Sequence, residues 1–363
     1  MHTLQTIVTN LTELDALVAR LASATAIGLD TEFLRERTYR AQLCLLQIAD
    51  ARAPVCVDPL ALPQLGELGT LLGASGPLKV MHASRQDIEV LIPVVGLVAP
   101  VFDTQIAAAL AGFPAQVGYA ELVRRILGHE LSKAHTRTDW STRPLAAEQI
   151  AYALDDVRHL LALRDHLASR LEELGRGAWL AEELARLADP AGYSLAPDQA
   201  WLRIRGLRGL DPARERLARE LAAWRERRAI ERNRPRGWIL DDGPLREIVL
   251  RVPRSVEELG AVPEIPASVV KHCGVDILER VRAAEVPDPL PPVNLRARPD
   301  PIRAAAVKRL STVHQAVAAG LSLSPEVLAT RRDLELLAEG RRDVSVLQGW
   351  RRAIIGERLL AAL

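Results

Sequence analysis

The sequence predicts an α/β unit followed by one or two all-helical units, and three observations carry that prediction. Up to about residue 190, short apolar runs alternate with amphipathic helical patterns. Over 200–284 and again over 302–363 only helical patterns occur. Between those two stretches, residues 285–301 hold six prolines in 17 positions, which no helix tolerates and which reads as a semi-rigid linker. The chain therefore divides into 1–190, 200–284, the linker 285–301 and 302–363.

Each element has its own signal. Leu11–Ala22 repeats apolar residues at helical spacing, and Ala26–Leu29 is a short apolar strand running into the polar Asp30-Thr31-Glu32. Gln42–Ala49 is apolar enough for a strand buried on both faces, with Pro54–Val57 and Leu78–Met81 as further short strands. The three early strands lie close in sequence, which predicts an antiparallel meander within a mixed sheet. Helical patterns cover Asp87–Val95, Thr104–Ala111, Tyr119–Leu127 and Ala146–Leu174. Further on, Asp211-Pro212 is a cap followed by proline at the first helical position, and Leu217, Leu221 and Trp224 then form one stripe. A faint internal echo relates Asp241–Leu250 to Leu323–Leu334.

Composition excludes several classes. Hydrophobic residues make up 48% and charged residues 26%, which is globular rather than disordered. The three cysteines, Cys44, Cys56 and Cys273, form no C-x-x-C pair, so neither a disulfide framework nor a thiolate zinc site is supported. The first residues, MHTLQTIVTN, lack the basic-then-apolar order of a secretory leader, and no run of about 18 uncharged apolar residues occurs. A soluble, cytoplasmic monomer with no membrane contact is the expectation. The net charge of +1 conceals −6 over residues 1–190 and +7 over 191–363. An acidic half joined to a basic half points to a metal-binding or catalytic unit beside one that holds a polyanion. The 43 arginines against 4 lysines look like codon bias, however, so arginine abundance alone says little.

The acidic residues carry the chemistry. Asp30 and Glu32 are two apart, so in a strand both carboxylates project from one face. Asp87 opens a helical segment, and Tyr152 and Asp156 are four apart on one helix face. Singly, each has an ordinary structural explanation: a polar strand end, a helix-start acid, a surface pair. Together, if the fold brings them to one place, four like charges need a cation. At about 4 Å such charges repel by roughly 4 kcal/mol at an effective dielectric near 20. All-oxygen donors select hard ions such as Mg²⁺ or Mn²⁺, and a pair of such ions is an arrangement that cleaves phosphodiesters.

The ordered motifs D-x-E, lone Asp and Y-x-x-x-D resemble those of the DEDD exonuclease superfamily, in its tyrosine-bearing branch. The surrounding text narrows this. DTEFLRERTYRAQLCLLQIAD (30–50), MHASRQDIEVL (81–91), SKAHTRTDWSTRPL (132–145) and YALDDVRHL (152–160) are similar to the ribonuclease D family of 3′-to-5′ exoribonucleases. AWLRIRG (200–206) and PRGWILDDGPL (235–245) are similar to the helicase-and-RNase-D C-terminal domain, HRDC. The resemblance spans essentially the whole chain. It implies a ribonuclease H-like mixed sheet flanked by helices, followed by an HRDC domain over 200–284 and a second helical, HRDC-like domain over 302–363. It also implies that Asp30, Glu32, Asp87 and Asp156 hold two divalent ions while Tyr152 orients the attacking water. The implied activity is trimming of 3′ ends of precursor tRNA and other small structured RNAs, releasing 5′-monophosphates. Two competitors are a DNA 3′–5′ exonuclease with the same site and an RNA-binding protein that has lost the chemistry.

Several residues have two readings. Asp155, three from Tyr152, rivals Asp156, which the motif spacing favours. Ala151 stands where the sister branch of the superfamily carries its histidine. His82 is a structural strand-end or substrate-contacting residue rather than a metal ligand. Lys133 and Arg137 are candidate RNA contacts or a solvated loop, Phe33 is core or base-stacking, and the arginines of 225–236 track phosphate or merely solubilise a helix. Ala41 stands where the resemblance implies a proline. No phosphate-binding P-loop is present, which excludes an ATP-driven helicase.

Overall fold

A computed structural model describes residues 6–131, 138–193, 197–207, 209–286 and 301–363. Lys133, Arg137 and nearly all of the proline-rich stretch lie outside the described residues. The described chain forms two compact units, one from Met1–Leu34, Leu43–Gly192 and Pro299–Leu363, the other from Arg35–Gln42 and Tyr193–Arg298.

The first unit holds a six-stranded mixed sheet. Its strands are β1 (Ile7–Val8), β2 (Ala26–Leu34), β3 (Gln42–Ala49), β4 (Pro54–Val57), β5 (Leu78–Met81) and β6 (Val101–Asp103), in the spatial order β1-β4-β3-β2-β5-β6. β3 and β4 pair antiparallel, whereas β1 with β4, β2 with β5 and β5 with β6 are parallel. The adjacency of β2, β3 and β4 is the expected meander. β2 runs five residues beyond the apolar stretch, so Asp30 and Glu32 lie within the strand rather than at its end. β1 and β6 are two and three residues long, too short for any periodicity to reveal.

Helices α1 (Leu11–Leu21), α2 (Glu67–Leu72), α3 (Arg85–Val95), α4 (Thr104–Ala111), α5 (Tyr119–Leu127), α6 (Ala147–Arg158), α7 (Leu160–Glu173) and α8 (Gly177–Leu187) accompany the sheet. α1 starts where Asn10 Oδ1 accepts from Glu13 N–H and the Glu13 carboxylate accepts from Thr9 N–H. The pattern over Ala146–Leu174, which predicted one helix, forms two, broken at His159.

The second unit contains α9 (Pro212–Glu231), α10 (Arg236–Ile239), α11 (Asp242–Arg251), α12 (Val256–Gly260) and α13 (Ala267–Ala283). Asp211 caps α9 by accepting from Ala213 and Arg214 N–H, and Leu217, Leu221 and Trp224 are buried as their spacing requires. The arginines are less uniformly exposed than composition suggests. Arg214 and Arg225 are buried against Asp211 and Asp242, whereas Arg227, Arg232 and Arg234 are exposed. Residues Arg35–Gln42, between β2 and β3, belong to this unit: Tyr39 donates its hydroxyl to the buried Glu226, and Arg40 N–H donates to Asn233.

The C-terminal helices include α14 (Pro301–Gly320), α15 (Pro325–Leu328) and α16 (Arg331–Ala338), followed by the helical stretch 349–361. They share one apolar cluster with α4, α7 and α8: Leu310, Leu328, Val346 and Leu359 pack with Ala107, Leu163 and Leu180. Polar contacts reinforce this. Arg176 donates to the carbonyls of Leu110 and Leu321 at 2.6 and 2.7 Å, Trp179 stacks on Trp350 at 4.5 Å, and Arg351 pairs with Glu183. Residues 302–363, read from sequence as a separate domain, thus share a compact unit with the sheet. The internal echo does not hold in the register read from sequence, because Ser324 caps nothing with its side chain. α10 and α15 are each four residues, each is followed two residues later by a capping side chain, and Thr330 rather than Ser324 corresponds to Asp241.

Candidate metal centre

The β2 backbone sets the site. Gly28, Asp30 and Glu32 share one face of the strand. A Cβ on Gly28 would stand 3.0 Å from the Val157 carbonyl oxygen and 3.4 Å from Leu160, so the junction of α6 and α7 lies directly on that face. Two residues along, the same face brings Asp30 and Glu32 into the electrostatic range of Asp156 on α6.

Asp87 arrives from the first turn of α3, and its start is held by Asp103 at the end of β6. One Asp103 carboxylate oxygen accepts from Ser84 N–H and Oγ–H, both at 2.8 Å, while the other accepts from Gln105 and Ile106 N–H as the cap of α4. Asp87 is buried and accepts the Thr31 hydroxyl.

Tyr152 and Asp156 lie one turn apart on α6, with the Tyr152 hydroxyl bonded to the Asp156 carboxylate. The Tyr152 ring stacks on buried Trp140 at 6.3 Å. Trp140 is anchored in turn by Arg143, which makes five hydrogen bonds, one of them to the Thr142 carbonyl at 2.9 Å. The others reach the Trp140 carbonyl (2.8 Å), the Cys44 carbonyl (2.7 Å) and both Asp58 oxygens (2.6 and 2.8 Å). Asp155, the rival to Asp156, pairs with Arg158 instead.

All four acids are raised in pKa, and Asp30 and Glu32 are raised in part by the others. Burial raises the Asp30 carboxyl well above its ordinary value, and Asp87, Asp156 and Glu32 raise it further. Glu32 is pushed to about 8 by burial and then by Asp156 and Asp87. Burial carries Asp87 to about 6, and burial with the Asp155 charge carries Asp156 to about 7. Among the described residues, the charges acting most strongly on Asp30 and Glu32 are therefore other carboxylates. Among the described residues no three His, Cys, Asp or Glu side chains already form a closed metal-binding cluster. The donor chemistry nonetheless fits a hard cation: oxygen only, buried or half-buried, and raised in pKa by neighbouring carboxylates. A cavity of about 620 Å³ between α1, α2 and the start of β5 contains none of these acids.

The remaining sequence candidates separate clearly. His82 has both ring nitrogens occupied, by the Thr104 hydroxyl at 2.9 Å and the Val117 carbonyl at 3.0 Å, and is structural. Phe33 is only partly buried, so it is not a core residue. Sequence reasoning missed Trp140, Arg143 and Asp103. Of these only Asp103, a capping acid directly before a helical pattern, carried a local signal.

The chain is similar to known exonucleases over nearly its whole length. A 3′-5′ exonuclease family model matches residues 5–172, and an HRDC domain model matches residues 214–281. Ribonuclease D of Gluconacetobacter diazotrophicus is 40% identical over 361 residues, covering 98% of this chain and 92% of that protein. Ribonuclease D of Nitrobacter hamburgensis is 37% identical over 361 residues, covering 98% and 94%. Among solved structures, Escherichia coli RNase D, described as an exoribonuclease involved in structured RNA processing, superposes with a TM-score of 0.88 at 30% identity. That match covers 98% of both chains. The catalytic core of RRP6 from Trypanosoma brucei gives a TM-score of 0.58 at 26% identity, covering 77% of this chain and 79% of that one.

Proposed function

The chain belongs to the ribonuclease D family and is a 3′-to-5′ exoribonuclease, and on that premise we propose what it cuts and with which residues. Its substrates are RNAs with a free 3′ end, precursor tRNA and other small structured RNAs among them, shortened one nucleotide at a time with release of 5′-monophosphates. The enzyme depends on divalent metal; Asp30, Glu32, Asp87 and Asp156 hold two ions, Mg²⁺ or Mn²⁺. When bound, these ions supply an activated water and stabilise charge on the phosphodiester.

The observation that carries the residue assignment is the elevation of Asp30 and Glu32 by burial and by the charges of Asp87 and Asp156, Glu32 to about 8. The protein's own groups divide the remaining work. Tyr152, pushed to about 12 by burial and by the surrounding acids, stays a neutral phenol at physiological pH. It therefore orients water by hydrogen bonding and abstracts no proton. Trp140 fixes its ring, and the Asp156 carboxylate fixes its hydroxyl. Residues 1–190 form the cutting domain, and residues 200–284 form the HRDC domain that grips the RNA body, with exposed Arg227, Arg232 and Arg234 as phosphate contacts. Lys133 and Arg137 are proposed contacts to the scissile end. The helices beyond residue 301 complete the core of the cutting unit, and the protein acts as a monomer. No described helix is long and apolar enough to cross a membrane.

The test is degradation of a 5′-labelled RNA with a 3′ overhang, in Mg²⁺ or Mn²⁺ and in EDTA, by wild type and Asp156→Asn. A metal-dependent ladder shortening from the 3′ end, lost in the variant, is expected. RNA bound but never shortened overturns the catalytic reading, and a matched DNA oligonucleotide degraded equally well overturns the RNA preference.

A further inference from the structure

The break between α6 and α7 has an identifiable cause forty residues away in sequence. In an uninterrupted helix the His159 N–H would donate to the Asp155 carbonyl four residues earlier. Here the Tyr119 hydroxyl stands between them, donating to the Asp155 carbonyl at 3.1 Å and accepting from the His159 N–H at 3.1 Å. His159 sits at φ −105°, ψ 0°, outside the helical region, so the chain turns at that residue and α7 restarts at Leu160. A group inserted into the hydrogen-bond ladder is a recognised origin of a helix kink.

Tyr119 is itself well located. It opens α5, and its ring meets the edge of His82 with centroids 5.7 Å apart. His82 is pinned at both nitrogens, so it gives the ring a rigid support. The kink that Tyr119 makes is also where the helices meet β2: Val157 and Leu160 flank it, and a Cβ on Gly28 would meet both. Asp156 lies within that same turn, adjacent to the carbonyl that Tyr119 holds. Burial raises the phenol well above its ordinary value, and the charges of Asp156 and Asp30 raise it further, so the hydroxyl keeps the proton it donates.

We infer that Tyr119 is a positioning residue for the metal centre: by replacing the helical hydrogen bond between Asp155 and His159 it sets where Asp156 stands relative to Asp30 on β2. Tyr119 touches no reacting atom. It acts through the backbone of a ligand-bearing turn, as a partner one step removed from the metal. This rests on the reading that Asp156 holds metal.

The experiment compares wild type, Tyr119→Phe and Asp156→Asn. Mn²⁺ affinity is measured by titration calorimetry, kcat and KM on a short oligoribonucleotide, and amide exchange at His159. Tyr119→Phe keeps the ring and its contact with His82, so the fold persists, but His159 N–H closes on the Asp155 carbonyl. Mn²⁺ affinity and kcat are expected to fall about tenfold, the low end for groups that orient metal ligands. KM for RNA stays unchanged, saturating Mn²⁺ restores most of kcat, and the His159 amide exchanges more slowly. Those signatures separate positioning from general destabilisation, which excess metal would not repair. Mn²⁺ affinity and kcat within twofold of wild type in Tyr119→Phe, with Asp156→Asn inactive, overturn the inference and leave the site reading standing. Asp156→Asn binding Mn²⁺ as wild type does overturns both.

Discussion

Glu32 and its three carboxylate neighbours make the metal-free protein pH-sensitive in a specific direction. In the folded state Glu32 titrates near 8, Asp156 near 7 and Asp87 near 6, all above their ordinary values. The folded protein therefore binds more protons than the unfolded chain between about pH 4 and 8, so stability is greatest at the acid end and is lost as pH rises through that window. Protons and metal compete for the same oxygens. In a thermal melt without metal, Tm should fall from pH 5 to pH 8. Added Mg²⁺ or Mn²⁺ should raise Tm more at pH 8 than at pH 5. At a concentration 100 times Kd the gain is about 2.7 kcal/mol, which amounts to roughly 5–10 °C. A metal response that is larger at pH 5 would show that these acids are not the ligands. At this scale the sequence was informative: D-x-E has the period of a strand and Y-x-x-x-D that of a helix turn. The nearness of Asp87 and Asp156 to Asp30 and Glu32 was not visible, because it depends on Thr31, Asp103 and Gly28 making contacts far along the chain.

The α6–α7 pair shows how an element can be read correctly in type and wrongly in extent. The apolar pattern of Ala146–Leu174 continues across His159, with Leu154, Val157, Leu160 and Leu163 three residues apart and all buried. What breaks the helix is the Tyr119 hydroxyl, and no local propensity encodes it. The strands β3, β4 and β5, by contrast, match their apolar runs residue for residue. Their burial is what made them apolar, so pattern and structure share one cause. The closeness of β2 to this kink also gives a test at the element scale. Gly28→Ala places a methyl 3.0 Å from the Val157 carbonyl, a backbone atom that cannot move without shifting α6. A stability loss of about 1–3 kcal/mol in urea denaturation is expected, accompanied by weaker exonuclease activity, because the same displacement moves Asp156. Activity unchanged at full stability would mean that β2 and α6 have slack between them.

For the molecule as a whole, the division into units does not follow the order of the chain. The helices beyond residue 301 complete the core that β5, β6, α4, α7 and α8 begin. Leu310, Leu328, Leu334, Val346, Ile355 and Leu359 are each no more than 3% exposed. At about 1.5–3 kcal/mol for each buried side chain, they outweigh a typical net stability of about 5–15 kcal/mol. A chain cut after Val286 should therefore lose cooperative folding of the sheet unit and aggregate, while the helical unit keeps its circular-dichroism signal. A soluble truncation with full exonuclease activity would show that the sheet unit stands without those helices. Sequence reading found the helices of 302–363 but assigned them a core of their own, since an apolar stripe declares that it is buried and not against what.

That arrangement has a consequence for synthesis. A ribosome adds about 5–20 residues per second, and domains usually fold as they emerge. Here the sheet and its four acids emerge early, then the entire helical unit follows, and only afterwards come the helices that close the sheet unit's core. The sheet unit thereby waits several seconds for its last helices, a built-in delay between synthesis of the four acids and completion of the core behind them.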